Sequence, residues 1–253
     1  INEVDNETYR FIENHNNIRN RECAIRSTQL LLEIAGAVGN SLYLAHISTK
    51  EEIDLIREAK SAGMDHIYCE ITPHHLFINE KVLKTAGNYG KVNPPLRTEQ
   101  DNEALHEAIL DGTADTIGSD HAPHAVHEKH LDYSRAPSGF PGFETTLPLL
   151  LNEYNQNRLT LEQIIRLTSL NPARIFRIRN RGELTEGHYA DLAIVNPDEE
   201  WQIDGGLFHS KAKYTPYQNM KVFGKVVTTI VNGHVLFNKG KFDKKQGKEV
   251  EFR

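Results

Sequence analysis

Two cysteines in 253 residues, Cys23 and Cys69, are too few for a disulfide framework, and neither stands in a Cys-x-x-Cys pair. A reducing, cytoplasmic compartment is the expected one. No apolar run is long enough to span a bilayer and no signal peptide opens the chain, so no membrane partner is expected. The formal net charge is −6, and the lysines and arginines are scattered apart from a solvated stretch at Lys239–Lys245. A nucleic-acid surface is therefore not expected either. There is no internal repeat and no low-complexity segment. The chain does not begin with methionine, and Ile1–Asn20 is polar and Asn-rich with no visible capping or targeting logic. It reads as the middle of something longer.

What is present describes an ordinary globular protein, with 38% hydrophobic and 25% charged residues. The outlier is histidine, with 13 copies, several beside expected strand ends. Apolar residues at helical spacing predict a helix over Arg21–Val38, stopped by Gly39. A strand follows at Ser41–Ile47, then a helix opened by Ser48 or Thr49 and ended at Gly63. A second strand spans His66–Ile71, a helix Glu99–Leu110, and a third strand Ala114–Gly118. Helices are expected near Thr145–Asn157 and Leu161–Leu170, the latter ended by Asn171-Pro172. From Gly182 the texture turns β-rich, with strands at Leu192–Val195 and Lys225–Val231 and a hairpin turn at Asn232-Gly233. This places a domain boundary between residues 181 and 182.

Three consecutive strand–helix units argue for an α/β protein with a parallel sheet. Three units do not close a (β/α)₈ barrel, so the sheet is either small and open or part of a barrel. In either case the strand ends share one edge, and there the chain places His46, Glu70 and Asp120. Nitrogen and carboxylate donors without cysteine suit Zn²⁺, Mn²⁺ or Fe²⁺ in a hydrolytic site. Plainer readings stand beside this one. A lone His46 more often bonds a carbonyl in a core, Glu70 could be a satisfied ion-pair partner, and Asp120 could cap the next segment. His74 and His75 follow Pro73 and read mainly as loop-shaping. His106, His127 and His130 read as structural or surface residues.

Four stretches occur in order: Ala45-His46-Ile47-Ser48-Thr49-Lys50-Glu51, Cys69-Glu70-Ile71-Thr72-Pro73-His74-His75-Leu76, Gly118-Ser119-Asp120-His121-Ala122-Pro123-His124, and Pro137-Ser138-Gly139-Phe140-Pro141-Gly142-Phe143-Glu144-Thr145. Together they resemble the dihydroorotases of the amidohydrolase superfamily. Gly182–Gly187 with Ala190-Asp191-Leu192 looks like that superfamily's return into its β-sandwich. The resemblance runs from about Arg19 to Phe242. It implies the C-terminal part of a (β/α)₈ TIM-type barrel in residues 1–181, and a small β-sandwich-like domain in residues 182–253. The implied activity is zinc-dependent, reversible cyclisation of N-carbamoyl-L-aspartate to L-dihydroorotate in pyrimidine biosynthesis, with two Zn²⁺ ions per complete site.

Carried over residue by residue, the resemblance makes His46 a metal ligand and Asp120 both metal ligand and catalytic proton shuttle. Asn93, His124 and the Ser138-Gly139 backbone become substrate-binding, and Glu70 aligns with a glutamate of an additional metal site in some relatives. The implied partners are the small-molecule substrate, the N-terminal half of the barrel, further copies of the chain and an aspartate transcarbamoylase. The family's His-x-His, its bridging carboxylated lysine and an adjacent substrate-binding arginine have no counterpart here. The alternatives are an allantoinase or hydantoinase, or a metal-free scaffold subunit. His124 and the Pro-Ser-Gly-Phe-Pro-Gly stretch favour dihydroorotase over the first, and retention of His46 with Asp120 disfavours the second. With most metal ligands absent, a polypeptide of only these residues is expected to be inactive. Measurable cyclisation of carbamoyl aspartate by the purified 253-residue chain would overturn that expectation.

Overall fold

The computed structural model describes residues 11–245 and 247–252. It divides into two compact units, Ile1–Glu144 with Ile203–Met220, and Thr145–Gln202 with Lys221–Arg253. The change of texture at Gly182 falls inside the second unit, so compactness and sequence texture divide the chain at different places.

In the first unit, α1 (His15–Ile18) and α2 (Arg21–Val38) precede β1 (Leu42–Leu44), α3 (Lys50–Ser61) and β2 (Ile67–Ile71). Then come α4 (Pro73–Phe77), α5 (Leu83–Ala86), α6 (Glu99–Leu110), β3 (Thr116–Ile117) and α7 (Val126–Lys129). The strands form a parallel sheet in the order β1-β2-β3, pairing Leu42 with Ile67 and Ile71 with Ile117. Parallel strands joined by helices are covered on their faces. Accordingly Ile67 and Ile71 of β2, Ile53 and Ile56 of α3, and Leu105 and Ile109 of α6 are all buried.

The helix starts follow capping chemistry. Thr49 opens α3 and Thr98 opens α6, each in a reciprocal box with Glu52 or Asp101 three residues on. The buried Glu52 carboxylate does more than cap, because it also accepts from the Thr28 hydroxyl on α2 and from Ser48. Asn20 caps α2 by accepting from the Cys23 N–H, a function that the polar N-terminal stretch does not advertise.

The second unit holds the buried run Leu149–Leu151 of α8 (Phe143–Asn155), then α9 (Leu161–Ile165) and α10 (Asn171–Ile175). The helical path does not end at Asn171-Pro172 as expected. A π-helical turn, Arg166–Leu170, leads straight into α10, where Pro172 occupies the first turn and needs no intrahelical donor. The antiparallel sheet β4-β5-β6-β7 comprises Leu192–Gln202, Lys221–Val231, His234–Asn238 and Lys241–Phe242. The strand expected to end at Val195 continues past Pro197, with register shifts between Asn196 and Glu200 that accommodate it. Asn232 and Gly233 both take positive φ, as a two-residue hairpin turn requires.

His15 is the least expected core residue. It is buried, its Nε2 lies 2.8 Å from the Val92 carbonyl and its Nδ1 2.7 Å from the Tyr133 hydroxyl. A carbonyl only accepts, so Nε2 carries the proton and Nδ1 accepts from tyrosine. Burial lowers the pKa of His15 from 6.5 to about 4, against the opposing bond to Val92. In the unfolded chain the imidazole takes its proton first. The stabilisation is therefore complete above 6.5 and is lost as the pH falls towards 4. We expect His15 alone to account for about 3 kcal/mol of stability lost over that range. Urea unfolding of His15→Gln should show a correspondingly flatter pH dependence; slopes identical to the parent chain would refute the assignment.

Candidate active site

The C-terminal ends of β1 and β3 share an unusual backbone. His46 has φ 44° and Asp120 φ 45°, both in the left-handed region that non-glycine residues seldom adopt. Such positions cost about 1–3 kcal/mol each and concentrate at functional sites. Between them, at the end of β2, stands Glu70. Its Oε2 accepts from the Tyr43 hydroxyl at 2.8 Å and its Oε1 from the His46 N–H at 3.2 Å. Tyr43 in turn lies 2.7 Å from the Thr116 hydroxyl, so one carboxylate ties together the ends of all three strands. Burial, reinforced by the Glu70 charge, raises the Tyr43 pKa and keeps it a donor. The carboxylate lies directly over Gly118, where a Cβ would stand 2.1 Å from Oε2.

The two histidines after Pro73 differ sharply. They do not lie in an open loop but in the short helix α4, and both are buried. His75 is satisfied at each nitrogen, 2.8 Å from the Thr72 hydroxyl and 3.0 Å from the Pro94 carbonyl. Burial takes its pKa down to about 3. His74 is not satisfied. Its buried Nε2 has no hydrogen-bond partner among the described residues and lies 3.8 Å from the Asp120 carboxylate. Burial, then the proximity of His75 and His46, holds His74 far below its usual range and therefore neutral. Asp120 is shifted upward, first by burial and also by Glu70, against the opposing effect of His46.

A neutral imidazole with an orphaned buried nitrogen beside a carboxylate has the chemistry of a metal ligand. His46, His74 and Asp120 thus fit a divalent cation by donor type. Among the described residues, however, no group of three or more His, Cys, Asp or Glu lies close enough together to hold one. Glu70 already accepts at both oxygens, from a hydroxyl and a backbone N–H and not from the ion-pair partner of its plainer expected role. His74 is a candidate site residue that sequence reasoning did not single out. The only signal was its place just past a strand end, and nothing in the local sequence separates it from His75.

A second group forms on the loop beyond Asp120. The His124 Nε2 lies 2.9 Å from the Ser138 carbonyl, and the His124 N–H donates to the Tyr214 hydroxyl. Gly139, at φ 115°, approaches Ala122 so closely that a Cβ would meet its carbonyl oxygen at 2.6 Å. His121 turns aside: its Nδ1 accepts from the Gly142 and Phe143 N–H groups and its ring stacks on Phe143 at 3.8 Å. His124, Ser138 and Gly139 are therefore brought together, as His46 and Asp120 are. Among the described residues no hydrogen bond joins Asn93 to either group, and its buried Oδ1 has no partner. His130 lies 2.7 Å from the Tyr89 hydroxyl, outside both groups.

Strand-end carboxylate and imidazoles on a parallel sheet define a hydrolase-like site, and the comparisons agree. The chain matches the amidohydrolase family over residues 18–236 and belongs to that family. A dihydroorotase of Anaplasma phagocytophilum (strain HZ) is 41% identical over 212 residues, covering 84% of this chain and 46% of that protein. A dihydroorotase of Staphylococcus aureus (strain Mu50) is 43% identical over 205 residues, covering 81% and 48%. Among solved structures, the L-hydantoinase (dihydropyrimidinase) from Arthrobacter aurescens superposes with a TM-score of 0.85 at 35% identity, covering 90% of this chain and 52% of that one. A D-hydantoinase from Bacillus sp. AR9 reaches 0.89 at 26% identity, covering 94% and 54%. The chain spans about half the length of the curated relatives it matches. The expected fold class is borne out: a mixed α/β chain with a parallel sheet and a separate antiparallel sheet, matching the amidohydrolase barrel proteins. No helix among the described residues is long and apolar enough to cross a membrane.

Replacing Gly118 by alanine should evict the Glu70 carboxylate from its two donors. We expect a loss of about 2–3 kcal/mol in urea unfolding, the range for leaving buried polar partners unmet. A cost below about 0.5 kcal/mol, the scale of an ordinary surface change, would show that Glu70 is not pinned there.

Proposed function

We propose that this chain contributes one wall of a dihydroorotase active site, which closes N-carbamoyl-L-aspartate to L-dihydroorotate and reopens it. The observation that carries the reading is the buried, unpartnered Nε2 of His74 beside the desolvated Asp120 carboxylate. It is supported by the 41–43% identity to dihydroorotases. His46, His74 and Asp120 offer the donor types that zinc takes but do not by themselves stand close enough to hold an ion, so a complete site with two ions would draw its remaining donors from beyond this set. When bound, the metal acidifies a water and polarises the amide carbonyl.

The protein's own part is proton management and binding. In ring opening, Asp120 accepts the proton of the attacking water and delivers it to the departing amide nitrogen as the C–N bond breaks. In ring closure the same carboxylate takes the proton from the ureido nitrogen as that bond forms and water leaves. A carboxyl shifted upward by burial is better matched to this shuttling than a solvated one. The His124 Nε2–H donates to the Ser138 carbonyl, so Nδ1 would donate to the substrate carboxylate in the doubly protonated imidazolium. Asn93 offers a buried Oδ1 that has no partner among the described residues, and the Ser138-Gly139 backbone would bind the ring. Residues 182–253 would form the small β-rich domain that follows the barrel. A cytoplasmic enzyme that assembles with its own copies, and with an aspartate transcarbamoylase, completes the proposal.

A hydantoinase is the second reading, favoured by the superpositions on L- and D-hydantoinase. The two are separated by turnover of dihydroorotate, hydantoin and allantoin with a protein carrying this chain. Dihydroorotate should be preferred, and preference for hydantoin or allantoin would overturn the assignment. Asp120→Asn should lower kcat by about 10³-fold with little change in KM, the scale for losing a proton shuttle. Purified protein free of zinc and without turnover would instead favour a scaffold.

A further inference from the structure

Two lysines are buried where a cation has no obvious reason to be. Lys129 is 2% exposed and Lys91 8% exposed. Neither has a carboxylate partner among the described residues, and both donate only to backbone carbonyls. The Lys129 Nζ donates to Pro137 O at 2.8 Å and Gly139 O at 2.9 Å. The Lys91 Nζ donates to Tyr133 O and Ala136 O, each at 2.6 Å, and sits 4.2 Å from the centre of the Tyr133 ring. The Lys91 backbone completes the arrangement by accepting from the Gly139 N–H at 2.8 Å. Two ammonium groups thus draw four carbonyls of one loop inward, while His124 holds a fifth, that of Ser138.

A buried ammonium paired only with neutral dipoles is expensive, and apolar residues of similar size would cost the fold less. Burial lowers both lysines, Lys129 to about 7, helped by the Lys91 charge. What the pair secures is direction. In a trans peptide the carbonyl and the next N–H point to opposite sides. With the Pro137 carbonyl turned onto Lys129, the Ser138 N–H faces away from the ammonium, and it has no partner among the described residues.

We infer that Lys129 and Lys91 are positioning residues that hold the Tyr133–Gly139 loop with the Ser138 N–H presented as a free donor to substrate. This deepens the dihydroorotase reading and rests on it for the identity of the substrate, but the loop's anchoring can be measured without turnover. The reporter is the Gly139 amide, followed by hydrogen exchange in the parent chain and in Lys129→Met. Loss of charge-assisted bonds to two carbonyls should speed its exchange by about tenfold or more, while α6 amides stay unchanged. Unchanged Gly139 exchange would overturn the inference. If Lys129→Met does not fold, Lys129→Gln keeps two donors on a shorter stem. It should give intermediate protection, and protection equal to the parent would count against the inference. In a protein that turns over dihydroorotate, Lys129→Met should raise KM about tenfold and change kcat less than about threefold, since ground-state positioning is what is lost. A fall in kcat at constant KM would overturn it. If the unsubstituted protein turns over neither dihydroorotate nor a hydantoin, the functional reading fails, and the Gly139 amide still decides the anchoring.

Discussion

The Glu70 carboxylate is the constraint on which the strand ends depend. It receives a hydrogen bond from a side chain of β1, another from the backbone N–H of His46 just beyond β1, and rests on the bare backbone of Gly118 beyond β3. Glu70 is half-buried, and a carboxylate drawn out of water persists only when its oxygens are satisfied, which here requires the three strand ends to keep one mutual register. The left-handed turns at His46 and Asp120 follow immediately from those pinned ends. The strain there is sustained by the sheet beneath and delivers an imidazole and a carboxylate to the same edge.

Around that constraint, each polar group is either saturated or left with one open valence. Glu70 and His75 are hydrogen-bonded at both of their polar atoms and hold shape. The His74 Nε2, the Asn93 Oδ1 and the Ser138 N–H have no partner among the described residues; His74 and Ser138 belong to the two groups that the chemistry would use, while no hydrogen bond joins Asn93 to either. In a buried setting an unmet polar atom is costly, so its survival marks a place where a ligand completes the set. The same logic makes Lys91 and Lys129 informative, since their bonds are directed at the one loop that borders both groups.

Much of the fold was legible in advance because it rests on local chemistry. The span of α2, a cap at Ser48 or Thr49 that the structure gives to Thr49, and the Asn232-Gly233 turn follow from side chains acting within a few residues. Errors arose where a local signal was overruled. Pro172 reads as a stop, yet a π-turn ahead of it leaves its missing N–H unneeded. The expected strand stops at Val195, yet β4 runs on to Gln202 through a register shift between Asn196 and Glu200. His15 gives no signal at all, because its partners stand 77 and 118 residues away.

The order of motifs carried the family without any coordinates; strand-end position pointed to His46 and Asp120 as candidates, and only the resemblance pointed to Asn93, His124, Ser138 and Gly139. Which of two adjacent histidines is open, and which carbonyls two lysines address, belong to tertiary structure alone. His74 and His75 have the same neighbours in sequence, and only the approach of Thr72, Pro94 and Asp120 in space makes one a structural strut and the other a vacant donor. Burial and partner geometry, which set the free energy of each protonation state, exist only once the chain has closed around them.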